Sequence, residues 1–155
     1  MKSFALSLAV LWSLVLPAAP SSGLVWRNFE DARVAYTLRL PPGWHATVSP
    51  TLQRGATVIT SAPVADRNDS PERVRLRPGG VYIWIFDYGP VRGDFPERPG
   101  RLRLGRKEVH SCGFGEGYML YFRDRGRVLQ AFVRLGPSTG GRDALAILNS
   151  LRVTK

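Results

Sequence analysis

The stretch VYIWIFDY, from Val81 to Tyr88, is the strongest strand signal in the chain and decides the expected fold. Its residues are nearly all apolar, and most are β-branched or aromatic, the types enriched in β-strands. A strand that is apolar on both faces is typical of the centre of a sheet with a layer packed on each side. We therefore expect a central strand here, with the rings of Tyr82, Trp84 and Phe86 on one face and aliphatic side chains on the other.

Six further strands are indicated on either side of this stretch by alternation and β-branched residues. The tripeptide Pro41-Pro42-Gly43 ends the first of them with a turn, because proline fixes φ and glycine supplies a positive φ. Asp124 to Arg127 contains a glycine and is expected to join the last two strands as a hairpin. Trp26 to Asp31 is compatible with one helical turn or an edge strand. The expected strands are Val34–Leu40, Trp44–Val48, Ala56–Thr60, Lys107–Cys112, Tyr118–Arg123 and Val128–Leu135.

A C-terminal helix is expected from a cap at Ser138 or Thr139 to about Leu151. Its apolar stripe must be buried, so the helix should lie on the sheet. The chain shows no alternation of strands and helices, which argues against a parallel nucleotide-binding sheet. We therefore predict an α+β fold: an antiparallel β-sheet of six or seven strands packed by a C-terminal helix. The stripe consists of Ala144, Leu145, Ile147, Leu148 and Leu151.

The N-terminus has the layout of a secretory signal: Lys2, an apolar run from Phe4 to Leu16, then proline, alanine, serine and glycine up to Gly23. The thirteen-residue run is shorter than the ~20 residues that a membrane-spanning helix needs. We therefore expect cleavage, although an uncleaved signal would anchor the protein to a membrane. Residues 1–23 are interpreted as the signal and residues 24–155 as a single globular domain, in a secreted or extracytoplasmic protein.

Arginine dominates the charge, since 19 Arg and 3 Lys give a formal net charge of +10. Several arginines alternate along the chain, which places them on one face of an extended segment, and a solvated face is the simplest interpretation. If the charge has a partner, an anionic membrane or wall polymer is favoured over nucleic acid in an exported protein. The alternating sets are Arg73, Arg75 and Arg77, then Arg101 and Arg103, then Arg123, Arg125 and Arg127.

Three segments together resemble the PsbP-like superfamily, which includes the extrinsic PsbP protein of photosystem II and many small exported bacterial proteins. They are LPPGW from Leu40 to Trp44 after an early strand, a late hairpin that ends at Gly136, and the closing AILNSLRV from Ala146 to Val153. The resemblance implies an antiparallel sheet between helices. It also implies a binding or accessory role, and it assigns no catalytic residue or metal ligand to this chain.

Cys112 is the only cysteine, so no intramolecular disulfide can form and stability must come from the core. His110 lies two residues earlier on the same side of the expected strand, and an imidazole beside a thiol is the minimum for nucleophilic catalysis. Burial of Cys112 as a small apolar side chain is the simpler interpretation. His45, His110 and Cys112 lack the spacing of a metal motif, so we expect no metal and no cofactor.

Two other sets of residues carry little chemical signal. Gly113 to Gly117 lacks the spacing of a phosphate-binding loop and precedes a strand, so a turn or bulge is expected. The spacing of Asp87, Asp94 and Asp124 does not suggest a pair of carboxylates for acid and base catalysis.

The aromatic face of Tyr82, Trp84 and Phe86 is the candidate ligand site, provided that the C-terminal helix leaves it open. The leading hypothesis is therefore a non-enzymatic exported envelope protein that binds a small ligand or another envelope protein. Two alternatives stay open at this point. One is a thiol-dependent enzyme or hydrolase that uses Cys112 and His110, and the other is a basic module that attaches to an anionic lipid or wall polymer.

Overall fold

The computed structural model describes residues 25–49, 56–61, 75–110 and 115–154, with only the backbone described at 108–110 and 115. Nine strands and one helix lie in these ranges. In chain order they are β1 Arg27–Phe29, β2 Tyr36–Leu40, β3 His45–Val48, β4 Thr57–Thr60, β5 Val81–Gly89, β6 Glu108–His110, β7 Gly115–Asp124, β8 Arg127–Leu135, α1 Arg142–Ser150 and β9 Arg152–Val153.

The strands form two sheets, and all neighbours within each sheet are antiparallel. The main sheet has the order β3-β4-β5-β8-β7-β6, with the three-residue β6 at its edge, and the small sheet has the order β1-β2-β9. The α+β class is therefore confirmed, but the strands are divided between two sheets and do not form the single sheet that the sequence predicts. Pro41 and Pro42 have no backbone N–H, so the hydrogen bonds of a β-sheet cannot continue through the segment between β2 and β3. Instead, β2 pairs with β1 and β9.

The core lies between the main sheet and a second layer made of the small sheet and α1. Ile83 and Ile85 of β5 are fully buried on this side, and they belong to one cluster with Leu38 of β2 and Ile147 of α1. The opposite face of β5 is also covered at Tyr82, which is only 1% exposed. β5 is therefore a central strand with two buried faces, as its apolar sequence predicts. We call the side of the main sheet that faces away from α1 the outer face.

The turns at both predicted positions form, with the backbone angles that their residues allow. Gly43 has φ of 78°, and the Trp44 N–H donates to the Pro41 carbonyl at 3.3 Å. In the hairpin between β7 and β8, Asp124 still pairs with Arg127, so only Arg125 and Gly126 form the loop. Both have positive φ, 48° and 77°, as a type I′ turn requires.

The helix is shorter than predicted and begins at Arg142, three residues after the expected cap at Thr139. Thr139 is engaged elsewhere, since its hydroxyl oxygen accepts a hydrogen bond from the Gly79 N–H at 2.8 Å. Ser138 has φ of 55°, which is not the backbone of an N-cap residue. Gly141 takes the cap position without a side-chain hydrogen bond.

The proposed signal, residues 1–23, lies outside the described residues. Within the described ranges, no helix has the length and apolar character needed to cross a membrane.

Candidate binding face

The aromatic residues of β5 lie on the outer face, and α1 does not cover them. Side chains alternate along a strand, so Tyr82, Trp84, Phe86 and Tyr88 share one side of β5. Ile83, which points to the opposite side, belongs to the cluster that includes the helix. We call these four aromatic residues the aromatic ladder.

Successive rings of the aromatic ladder are in contact. The centroids of Tyr82 and Trp84 are 6.1 Å apart, and those of Trp84 and Phe86 are 5.4 Å apart with the rings at 81°. The Phe86 and Tyr88 rings are stacked at 6.3 Å with 22° between their planes. The Trp84 indole N–H also donates to the Tyr82 hydroxyl at 2.7 Å. Ring pairs at these separations hold one another in place.

The aromatic ladder is buried at one end and exposed at the other. Tyr82 and Trp84 are only 1% and 4% exposed, and they form a cluster with Phe132 of β8. Phe86 is half-buried, whereas Tyr88 is 38% exposed. Only the Tyr88 end of the ladder is therefore accessible to a ligand of appreciable size.

A second exposed aromatic residue, Tyr121 of β7, lies close to the open end of the ladder. Gln130 of β8 stands opposite Phe86 on one side and opposite Tyr121 on the other. Tyr121 is 44% exposed. The two strands therefore bring a second exposed ring onto the same face as Tyr88.

Gln130 connects these rings through its buried amide group. Its Oε1 accepts a hydrogen bond from the Tyr88 hydroxyl at 2.5 Å, and its Nε2 lies 3.3 Å from the sulfur of Met119. Gln130 is only 8% exposed. Partial burial also raises the pKa of the Tyr88 phenol above its ordinary value. We call Phe86, Tyr88, Met119, Tyr121 and Gln130 the open platform.

The structure places the three candidate ligand residues at different depths. Tyr82 and Trp84 are buried in the cluster with Phe132, and Phe86 belongs to the open platform. The alternation that selects Phe86 extends to Tyr88, so sequence reasoning had a signal for that residue. Tyr121 and Gln130 come from other strands, and only the strand register shows that they are neighbours.

The candidate thiol site cannot be assembled from the described residues. Cys112 lies outside them, and His110 is described only by its backbone in β6. His45 is exposed in β3. No group of three or more His, Cys, Asp or Glu residues with metal-binding geometry occurs in the described ranges. Asp94 is exposed in the loop after β5.

Two of the remaining carboxylates are held by arginine. Asp87 is almost completely buried, and Arg127 contacts both of its oxygens at 2.9 to 3.1 Å. The backbone N–H of Gly89 donates to the same carboxylate at 2.8 Å. Asp124 pairs with Arg98 at 2.8 Å. Both carboxylates therefore have a structural role in the folded chain.

The arginines of the hairpin do not form a single solvated ribbon, because the turn at Arg125 breaks their alternation. The Arg123 guanidinium donates to the carbonyls of Val91 and Gly93 at 3.2 and 2.8 Å. That of Arg125 donates to the Val153 carbonyl at 3.0 Å. With Arg127 bound to Asp87, all three arginines of this set hold the fold together.

Comparison of the chain with family models, curated proteins and solved structures found no match.

Proposed function

We propose that this protein is a non-enzymatic, extracytoplasmic binding module whose ligand lies on the open platform. One observation carries the proposal: Tyr88 and Tyr121, from separate strands, keep 38% and 44% of their surface exposed beside the buried amide of Gln130. Exposed rings grouped around a polar group are typical of ligand sites. Rings that only stabilised the core would be buried, as Tyr82 is.

The ligand class that best fits this surface is a saccharide. The ring faces of Phe86, Tyr88 and Tyr121 offer flat apolar area, and the tyrosine hydroxyls offer polar groups at its edge. A pyranose ring has the complementary character, because its C–H groups form an apolar face and its hydroxyls form a polar rim. An exported protein would meet such rings in wall glycans.

Two parts of the proposal, export and a relationship to the PsbP-like superfamily, are based on the sequence alone. Two observations agree with the roles that the resemblance implies. The LPPGW segment forms the end of β2 and the turn that follows it, and the closing AILNSLRV segment forms the end of α1 and β9. The resemblance and the secretory layout of residues 1–23, both read from the sequence, support a small exported accessory protein.

Substitution of the two exposed tyrosines tests the platform. We expect Tyr88→Ala and Tyr121→Ala each to weaken binding of chitotetraose by about tenfold, since a stacked ring contributes about 0.5–1.5 kcal/mol beyond its buried area. Tyr121→Phe keeps the ring and should retain most of the affinity. Isothermal titration calorimetry measures chitotetraose binding, and co-sedimentation with purified peptidoglycan measures binding to the polymer.

Val25→Ala is the matched control, because Val25 is an exposed apolar residue outside the platform. Thermal unfolding of each variant verifies that the domain still folds. Unchanged affinity in the double variant Tyr88→Ala/Tyr121→Ala would exclude the platform as the binding site. Failure of the unsubstituted protein to bind either probe would exclude a saccharide of this class.

A further inference from the structure

A second surface, on the α1 side of the molecule, carries a concentration of positive charge. Residues 101–107 have the sequence RLRLGRK, with four cations and no carboxylate. Arg101, Arg103, Arg106 and Lys107 are all exposed. Together with Arg142, the exposed first residue of α1, they form what we call the basic strip.

The basic strip is held against the helix by the residues between its arginines. Leu102 is only 3% exposed. The Asn149 side chain clamps its backbone, accepting from the Leu102 N–H at 2.8 Å and donating to the Leu102 carbonyl at 3.3 Å. Farther along, Leu104 packs so closely on Gly141 that a Cβ added there would lie 2.3 Å from the leucine Cδ1. The segment therefore runs along α1, with Leu104 against Gly141, the residue before Arg142.

The cations of the basic strip have fewer carboxylate and carbonyl partners than the arginines of the hairpin have. Lys107 pairs with Glu116, and Asp143 follows Arg142 in the first turn of the helix. Among the described residues, the side chains of Arg101, Arg103, Arg106 and Arg142 make no ion pair or hydrogen bond with the protein. Their charge is therefore available to an anionic partner.

We propose that the basic strip docks the domain on an anionic membrane surface. Each Arg or Lys close to such a surface raises the partition coefficient by about fivefold. The attraction acts only within a Debye length, about 8 Å at physiological ionic strength. Exposed arginines that lie close together along α1 can reach a plane of headgroups together, and a membrane is therefore favoured over a soluble polyanion.

This docking is independent of the saccharide proposal. The basic strip lies along α1, whereas the open platform lies on the outer face of the main sheet, which α1 does not contact. The two surfaces can therefore be occupied at the same time.

Vesicle co-sedimentation of the full chain tests the proposal. Vesicles of equal parts phosphatidylglycerol and phosphatidylcholine are compared with pure phosphatidylcholine, which reports any binding that does not depend on anionic charge. We expect Arg101→Gln/Arg103→Gln to lower the partition coefficient on the anionic vesicles by about 25-fold. The matched control Arg75→Gln/Arg92→Gln removes the same charge outside the basic strip, and it should lower the coefficient by less than about twofold.

Several outcomes would overturn the proposal. They are equal losses in the two double variants, equal binding of the unsubstituted protein to both vesicle types, and binding to anionic vesicles that persists from about 0.1 M to about 1 M salt. Inorganic polyphosphate is the competing probe. If it binds the protein while anionic vesicles do not, the partner is a soluble polyanion and membrane docking is wrong.

Discussion

At the scale of single residues, Gly117 shows how closely the chain packs beneath the aromatic cluster. A Cβ added to Gly117 would lie 2.7 Å from Cζ of the Phe132 ring and 2.7 Å from the backbone oxygen of Val133. Phe132 is itself only 2% exposed and contacts the buried end of the aromatic ladder. Position 117 therefore has room only for a glycine. This glycine of the glycine-rich segment lets β7 pack closely against Phe132.

Substitution of this glycine should destabilise the domain. We expect Gly117→Ala to lower the free energy of unfolding by about 1–3 kcal/mol, because a buried ring and a backbone carbonyl would both have to move. Urea unfolding measures the change. Gly100→Ala is the control, since a Cβ at Gly100 meets no atom within 4 Å, and it should be neutral or slightly stabilising. Equal stability of the two variants would contradict this account of the contact.

At the scale of elements, the C-terminus of α1 is completed by an arginine from a distant loop. The last carbonyls of a helix have no partner within it, and α1 has no basic residue in its last turn. The Arg98 guanidinium donates to the carbonyls of Leu151 at 2.7 Å and Leu148 at 3.1 Å, and it also pairs with Asp124. One side chain thus joins the helix to the hairpin and places a positive charge at the negative end of the helix dipole.

Loss of this arginine should loosen α1. We expect Arg98→Met to lower the free energy of unfolding by about 2–4 kcal/mol, because it leaves Asp124 without its cationic partner and removes hydrogen bonds to the carbonyls at the end of α1. Arg98→Lys should recover only part of this loss, since an ammonium group lacks the planar fork of donors. Chemical denaturation measures both variants. Arg92→Met, at an exposed position in the same loop, should stay within about 0.5 kcal/mol of the unsubstituted protein.

At the scale of the whole molecule, the two sheets are joined by a buried hydrogen bond. The Tyr36 hydroxyl of the small sheet donates to the Thr57 hydroxyl oxygen of the main sheet at 2.6 Å, and both residues are almost fully buried. Burial raises the pKa of the Tyr36 phenol above its usual range. The hydrogen bond to Thr57 opposes this shift in part, while the negative charge of Asp87 adds to it.

This raised pKa makes the stability of the fold sensitive to alkali. Above the usual phenol pKa of about 10, Tyr36 ionises in the unfolded chain and stays protonated in the folded one. The unfolded chain then binds fewer protons, so the free energy of unfolding falls as the pH rises. Tyr36→Phe should cost about 1–2 kcal/mol at neutral pH and show a shallower loss above about pH 10. Denaturation curves at a series of pH values measure both effects, and parallel pH profiles would contradict the prediction.

Local signals allowed much of this architecture to be predicted. The central strand, the turn at Gly43 and the hairpin at Gly126 each depend on a few adjacent residues, and each lies where the sequence indicates. The split into two sheets depends on the pairing of Tyr36 with Val153, which no local pattern encodes. The same holds for the open platform, because the neighbours of Tyr88 come from strands whose register emerges only in the folded chain.

The small sheet has a consequence for the order in which the domain can form. Its central strand, β2, lies near the start of the described chain, and one of its two partners is the last strand, β9. Val153 is 2% exposed and belongs to the core together with Tyr36. A growing or translocating chain therefore cannot complete this core until Val153 is free to pair with Tyr36. In an exported chain, this domain would therefore reach its folded form only after Val153 had crossed the membrane.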